Sequence, residues 1–390
     1  MTQGSERAKL SVAVLLSGRE KFGPYYGGAC ARWTYEVYSR LLHDLDVTVF
    51  GYPTTPDDRY PLHHATSSVW RLSNFISHIP RARRYEENLW LRALFARARA
   101  FDVIHIHNRP QWARILRDFG YRGGIILHLH NDHLGHWTPS MLDELARDLD
   151  KVATCSEYLR NTFAGKSVSL ASKTRVVLNG VNTDLFFPRE GLREPQTIFF
   201  VGRLHPEKGV LQLVQAFAHV LEVHPKAKLV IGGSTGFGAH SLTPYVREVE
   251  ELASSIVERH PGSIQFTGYL HHDRDLPAWF QKATLFTCPS IFQEPFGLVN
   301  AEAMACATPV IGSRRGGIPE VLGETGLLID PEDIAGFADA MCMLLGNPNY
   351  SAKLGRAAHQ RCHEMFDWQV VAQRWNSLLH SSAAPAGEII

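Results

Sequence analysis

Short runs of Val, Ile and Leu, each followed by a longer amphipathic stretch, recur along this chain in two successive arrays. The first array has such runs at 11–17, 47–52, 103–107, 125–130 and 152–155. After a polar stretch at 189–196 the second has them at 197–201, 228–232, 264–267, 285–288, 309–312 and 326–329. Strands this continuously apolar must be covered on both faces, which points to parallel sheets flanked by helices. Two α/β domains in series are therefore expected: a Rossmann-like domain over 1–186, a second over 197–349, and a terminal helix at about 366–380. A length of 390 residues agrees, being more than one ordinary core accommodates.

Composition narrows the function. A formal net charge of +1 gives no basic excess of the kind that marks nucleic-acid binding. The six cysteines (30, 155, 288, 306, 342, 362) show no C-x-x-C spacing, so neither a zinc ribbon nor a disulfide frame is expected, and a cytoplasmic setting is. The apolar run at 12–16 is too short for a signal-peptide core or a membrane span.

In open parallel sheets ligands gather where strands end and helices begin, because helix amino termini offer free N–H groups and a positive dipole end. Several strand ends here carry chemistry. Gly202-Arg203-Leu204-His205-Pro206-Glu207-Lys208-Gly209 runs from a strand toward a helix start, where cations are unfavourable unless an anion is present. A phosphate would resolve that mismatch. Glu294-Pro295-Phe296-Gly297-Leu298-Val299-Asn300-Ala301-Glu302 places one carboxylate in a loop and the second about a turn inside a helix. That spacing suits a sugar hydroxyl at one and a ribose at the other, with a diphosphate between them on the helix N–H groups.

This segment resembles retaining glycosyltransferase family 4, whose E-x7-E signature it reproduces at Glu294 and Glu302. The 202–209 segment is similar to that family's G-R-x-x-x-x-K-G element, and Tyr25-Tyr26-Gly27-Gly28 to its amino-terminal Gly-Gly loop. The latter is not G-x-G-x-x-G, so a nicotinamide site is disfavoured. The resemblance implies a GT-B architecture, two Rossmann-like domains facing each other across a cleft, with the donor nucleotide on the second and the acceptor on the first. It implies transfer of a sugar from a nucleotide donor, UDP-sugar by default, with retention of anomeric configuration and no metal or other cofactor. Arg203 and Lys208 would neutralise the leaving diphosphate, Glu294 would hold the sugar, Glu302 the ribose, and His130 would sit beside the sugar. Gly27, Gly28, Gly202, Phe296, Gly297 and Leu298 would complete the donor site.

Three features stay open. His128-Leu129-His130-Asn131-Asp132-His133 also matches the metal string of zinc hydrolases, a rival reading beside a protein with the same fold and a decayed site. His105 and His107 at another strand end are either site-lining or structural. Between 71 and 122 stand eleven arginines against four acids, which fits an anionic or lipid-linked acceptor, a peripheral membrane surface, or a solvated helix pair. The base, the sugar and the acceptor are not legible.

Overall fold

The structure is a computed structural model and describes residues 9–16, 20, 22, 28–51, 63–65 (backbone), 100–235 and 243–382. It divides into two compact units, one of Met1–Leu178 with Gln369–Ile390 and one of Asn179–Trp368.

Along the first unit run β1 (Leu10–Leu15), α1 (Ala29–Ser39), β2 (Leu45–Phe50), β3 (His63–Ala65), β4 (Val103–His107), α2 (Gln111–Asp118) and β5 (Gly124–Leu129). Then come α3 (Pro139–Asp148), β6 (Lys151–Thr154), α4 (Glu157–Ala164), α5 (Val168–Lys173) and β7 (Thr174–Val176). The sheet is parallel, in the order β3-β2-β1-β4-β5-β6-β7. Every residue of β4 and β5 is buried, as strands covered on both faces must be. The edge strands β3 and β7 are absent from the sequence expectation, because three residues are too few to register as a period.

The second unit holds β8 (Thr197–Val201), α6 (Val210–Val223), β9 (Lys228–Gly232), α7 (Pro244–Arg259), β10 (Ile264–Gly268), α8 (Leu276–Lys282) and β11 (Leu285–Cys288). It continues with α9 (Leu298–Ala305), β12 (Val310–Ser313), α10 (Ile318–Leu322), β13 (Leu327–Ile329), α11 (Ile334–Gly346) and α12 (Pro348–Met365). Its parallel sheet runs β10-β9-β8-β11-β12-β13. The strand order reverses between β8 and β11, and the loops after those two strands carry the Arg203–Lys208 and Glu294 segments. A topological switch point is where open α/β sheets bind ligands.

The chain passes into the second unit earlier than the expected boundary at 186, and the reason is a pairing within that unit. Val181 N donates to Phe366 O at 2.7 Å, Val181 bridges to Asp367, and a Cβ on Gly180 would lie 2.3 Å from the Trp368 ring. The entering and leaving segments thus hold each other. The last helix, α13 (Trp368–His380), packs from Gln369 onward within the first unit, where Trp375 is fully buried and donates to Tyr38 Oη at 3.0 Å.

Candidate active site

The loop after β8 closes in a single 3-10 turn, Pro206–Lys208, and Gly209 then caps α6 in a left-handed conformation with φ 68°. Only glycine fits there comfortably, since a Cβ would also come 2.0 Å from Pro289 O. That close approach sets the 206–209 turn against the loop after β11. Ile291 N and Phe292 N both donate to Glu207 O, at 2.9 and 3.0 Å. Lys208 Nζ is thereby placed against Glu294 Oε1 in a short ion pair with both side chains mostly buried, and Ser290 Oγ donates to the same oxygen at 2.8 Å. Beneath them the thiol of Cys288 is pushed up to about 12, by burial above all and then by the Glu294 carboxylate. The Glu294 backbone is fixed as well, with Gly317 N donating to its carbonyl at 2.7 Å, while a Cβ on Gly316 would lie 2.2 Å from it.

Gly297, at φ 85°, begins α9, which leaves the first N–H groups of that helix without a side-chain cap. Phe296 is buried beneath this turn, and Leu298 opens the helix. One turn on, Glu302 is 5% exposed, with Oε1 2.7 Å from His272 Nε2. Its Oε2 is buried with no hydrogen-bond partner among the described residues. Leaving a buried carboxylate oxygen without a donor is costly, so a hydrogen-bond donor is expected at this point.

Arg203 stands apart from the Lys208–Glu294 pair. It is exposed, makes no side-chain hydrogen bond or ion pair among the described residues, and lines a mainly apolar cavity of about 180 Å³ with Val201, Gly202, Gly233, Ser234, Tyr269 and Leu270. Gly233, at φ 128°, is the residue used for its bare backbone: a Cβ there would lie 1.8 Å from the Gly202 carbonyl oxygen. Tyr269 and Leu270 escaped sequence reasoning because the loop after β10 carries no charged signature.

In the first unit His105, His107, His128 and His130 form one buried cluster, since alternate residues of β4 and β5 share a face and His107 pairs in register with His128. His107 Nε2 lies 3.0 Å from Thr34 Oγ1, and His107 Nδ1 lies 3.0 Å from His130 Nε2. His105 Nδ1 bonds Tyr38 Oη at 3.0 Å, whereas neither nitrogen of His128 has a partner among the described residues. Burial, with the neighbouring imidazoles second, holds His105, His107 and His128 well below the ordinary histidine range. They are neutral.

This arrangement corrects the zinc-hydrolase reading of 128–133. His128 and His130 turn into the sheet, while Asp132 is exposed and accepts from Gly135 N at 2.6 Å, so the string does not converge. Among the described residues two other groups have ligand atoms within 4.8 Å of one another, Cys30 with His107 and His130, and His105 with His107 and His128. Both nitrogens of His107 are already hydrogen-bonded, the Cys30 thiol is raised well above its usual range by burial and then by Glu20, and neither group contains a carboxylate. A neutral hydrogen-bonded network suits these residues better than a buried divalent charge.

Gly28 caps α1, but the anion on that helix end is internal: Glu20 Oε1 accepts from Ala31 N at 2.9 Å. Its carboxyl is raised by burial, an effect partly offset by backbone N–H groups and by Arg109. Glu20 thus engages an N–H group at the helix start that the Gly-Gly reading offered to a phosphate or an acceptor. Gly27 and the arginines from 71 to 99 lie outside the described residues. Of the arginines at 109–122, Arg117 is tied to three backbone carbonyls and to Asp150, and Arg114 pairs with Asp118.

Residues 30–185 match the model of Glycosyltransferase Family 4, and residues 195–347 that of Glycosyl transferases group 1. The chain is 32% identical to spore coat protein SA of Bacillus subtilis over 310 residues, covering 74% of this chain and 80% of that one. It is 30% identical to alpha-maltose-1-phosphate synthase of Mycolicibacterium smegmatis over 404 residues, 93% and 97% of the two chains. Among solved structures, Anabaena HepE in complex with UDP superposes with a TM-score of 0.73 at 19% identity, over 95% of this chain and all of that one. Sucrose-phosphate synthase from Thermosynechococcus elongatus gives 0.71 at 21% identity, over 95% and 98%. At such identities these structures attest the fold.

Proposed function

From the premise that the chain belongs to glycosyltransferase family 4 and has the GT-B fold, we propose that it moves a sugar from a UDP carrier to an acceptor hydroxyl with retention of anomeric configuration. The observation that carries this reading is the second unit's switch point, where Lys208, Glu294 and Ser290 are locked together beside the uncapped amino terminus of α9. As the sugar departs, negative charge grows on the β-phosphate. Lys208, the exposed cation Arg203 and the α9 N–H groups supply the compensating charge, and transfer proceeds without metal. Glu294 holds the sugar, Glu302 offers its unsatisfied oxygen to a ribose hydroxyl, and the apolar cavity beside Tyr269 takes the base. His130 steadies a sugar hydroxyl. The departing phosphate oxygen takes the acceptor's proton, so that the protein positions groups and neutralises charge and forms no covalent bond itself. UDP is favoured because HepE, which shares the fold, is seen with UDP, UDP with glucose, and UDP-glucose. The acceptor is an anionic or lipid-linked hydroxyl compound met at a membrane surface, a reading supported by the arginine-rich segment 71–122. Among the described residues no helix is long and apolar enough to cross a membrane.

The test is turnover of UDP-glucose, UDP-N-acetylglucosamine, GDP-mannose and ADP-glucose in the presence of EDTA, with NMR of the first-formed product. Nucleotide release from a UDP-sugar, undiminished by EDTA and with the donor's anomeric configuration kept, is expected. Inversion, or activity restored only by added metal, would refute the mechanism.

A further inference from the structure

Adjacent residues at the end of β4 hold His130 at two points. Asn108 Oδ1 accepts from His130 N at 2.7 Å, while Asn108 N itself donates to His128 O at 2.9 Å. To do this Asn108 adopts φ 54°, a left-handed conformation uncommon for a non-glycine residue, so the contact has a local cost that the surrounding structure sustains. Its neighbour His107 holds the ring. The bond from His107 Nδ1 to His130 Nε2 continues through His107 Nε2 to Thr34 Oγ1 on α1, and Thr34 and both histidines are buried.

We propose that His107 and Asn108 are positioning residues that clamp His130, fixing its backbone, its ring orientation and its tautomer. The inference rests on the reading of His130 as a residue that touches the donor. Its physical basis is the arithmetic of a neutral imidazole, which has one N–H and one lone pair. If Thr34 donates to His107, His107 Nδ1–H donates to His130, and His130 carries its own proton on Nδ1. If the order is reversed, His130 Nε2–H donates inward and Nδ1 is the acceptor. Either order couples the tautomer of His130 to that of His107 and, through it, to the Thr34 hydroxyl on another element. In both, Nε2 is held by His107. A ring held this way needs no reorganisation when substrate binds, and misplacement by about 1 Å costs up to about a hundredfold in rate.

Long-range 1H–15N spectra of histidine-labelled protein read the tautomer without any substrate. Wild-type His130 should show one pyrrole-like and one pyridine-like nitrogen. In His107→Leu and in Thr34→Val the two should move toward averaged values, and His107→Asn, which keeps a polar atom near the Nδ1 position, should restore the split. With the fastest donor of the panel above, His107→Leu should lower kcat by ten- to a hundredfold with donor KM within about threefold. The double variant with His130→Ala should be no slower than His130→Ala alone. Asn108→Gly accepts the left-handed backbone without its amide, so it tests the second point without strain and should lower kcat by a smaller factor. If His107→Leu fails to fold, Thr34→Val and Asn108→Gly decide. An unchanged His130 spectrum and kcat in the folded variants, alongside an inactive His130→Ala, would overturn the clamp. Wild-type turnover in His130→Ala would instead remove the donor-contact reading, while the spectra would still decide whether His107 sets the tautomer.

Discussion

Glu294 and Glu302 differ in what already engages them, and their variants should fail differently. Glu294 is paired with Lys208 and Ser290, so its loss frees a largely buried cation and unseats the group proposed to hold the reacting sugar. Glu294→Ala should lower kcat by about a hundredfold or more, the scale at which a preorganised electrostatic partner is lost. Glu294→Gln, which keeps a hydrogen-bonding group but no charge, should fall between. Glu302 engages His272 through one oxygen and has the other unsatisfied. Proposed to hold the ribose, far from the reacting carbon, it would contribute equally to ground and transition states, so Glu302→Ala should raise donor KM about ten- to a hundredfold and leave kcat nearly unchanged. Steady-state kinetics on both variants check this, and near wild-type constants in both would show that the donor does not lie between them. The sequence brought these two carboxylates into view through their spacing. It was silent on His272, thirty residues away and adjacent only in space.

The pair β4 and β5 carries a pH response. For His105, His107 and His128 the folded pKa lies below the unfolded value of about 6.5, so as pH falls the unfolded chain binds protons first. The stability attached to the neutral rings is complete above about pH 6.5 and is lost below it, at up to about 1.4 kcal/mol per pH unit for each ring. Urea midpoints should therefore fall steeply from pH 7 to pH 5. His128→Leu removes one of these groups at the site where the imidazole has no partner, and should flatten the slope by about one proton. An unaltered slope would mean that His128 is charged in the folded state or already neutral in the unfolded one. Period-two spacing in His105-x-His107 and His128-x-His130 was enough to put each pair on one face. That the two faces coincide required β4 and β5 to be neighbours, which depends on strand order.

For the molecule as a whole, the chain's return from the second unit is a stability element of the first. Trp375 lies within 4.8 Å of Trp33 and 4.4 Å of His105, ring centre to ring centre, and is fully buried. Trp375→Ala should cost about 3–5 kcal/mol in urea unfolding, and Trp375→Phe should recover most of it. A loss below about 1 kcal/mol would show that α13 contributes little to that core. Strand periodicity, the places where strands give way to helices, and the charged residues at those places were all determined by the sequence, because each depends on neighbours a few residues apart. Tertiary structure alone decided that Glu20 caps α1, that Lys208 meets Glu294, that an apolar cavity opens beside Tyr269, and that His107 grips His130. Those contacts join residues from 11 to 86 positions apart, and local preference carries no information about which distant strand ends will be brought side by side. Packing and sheet order set that.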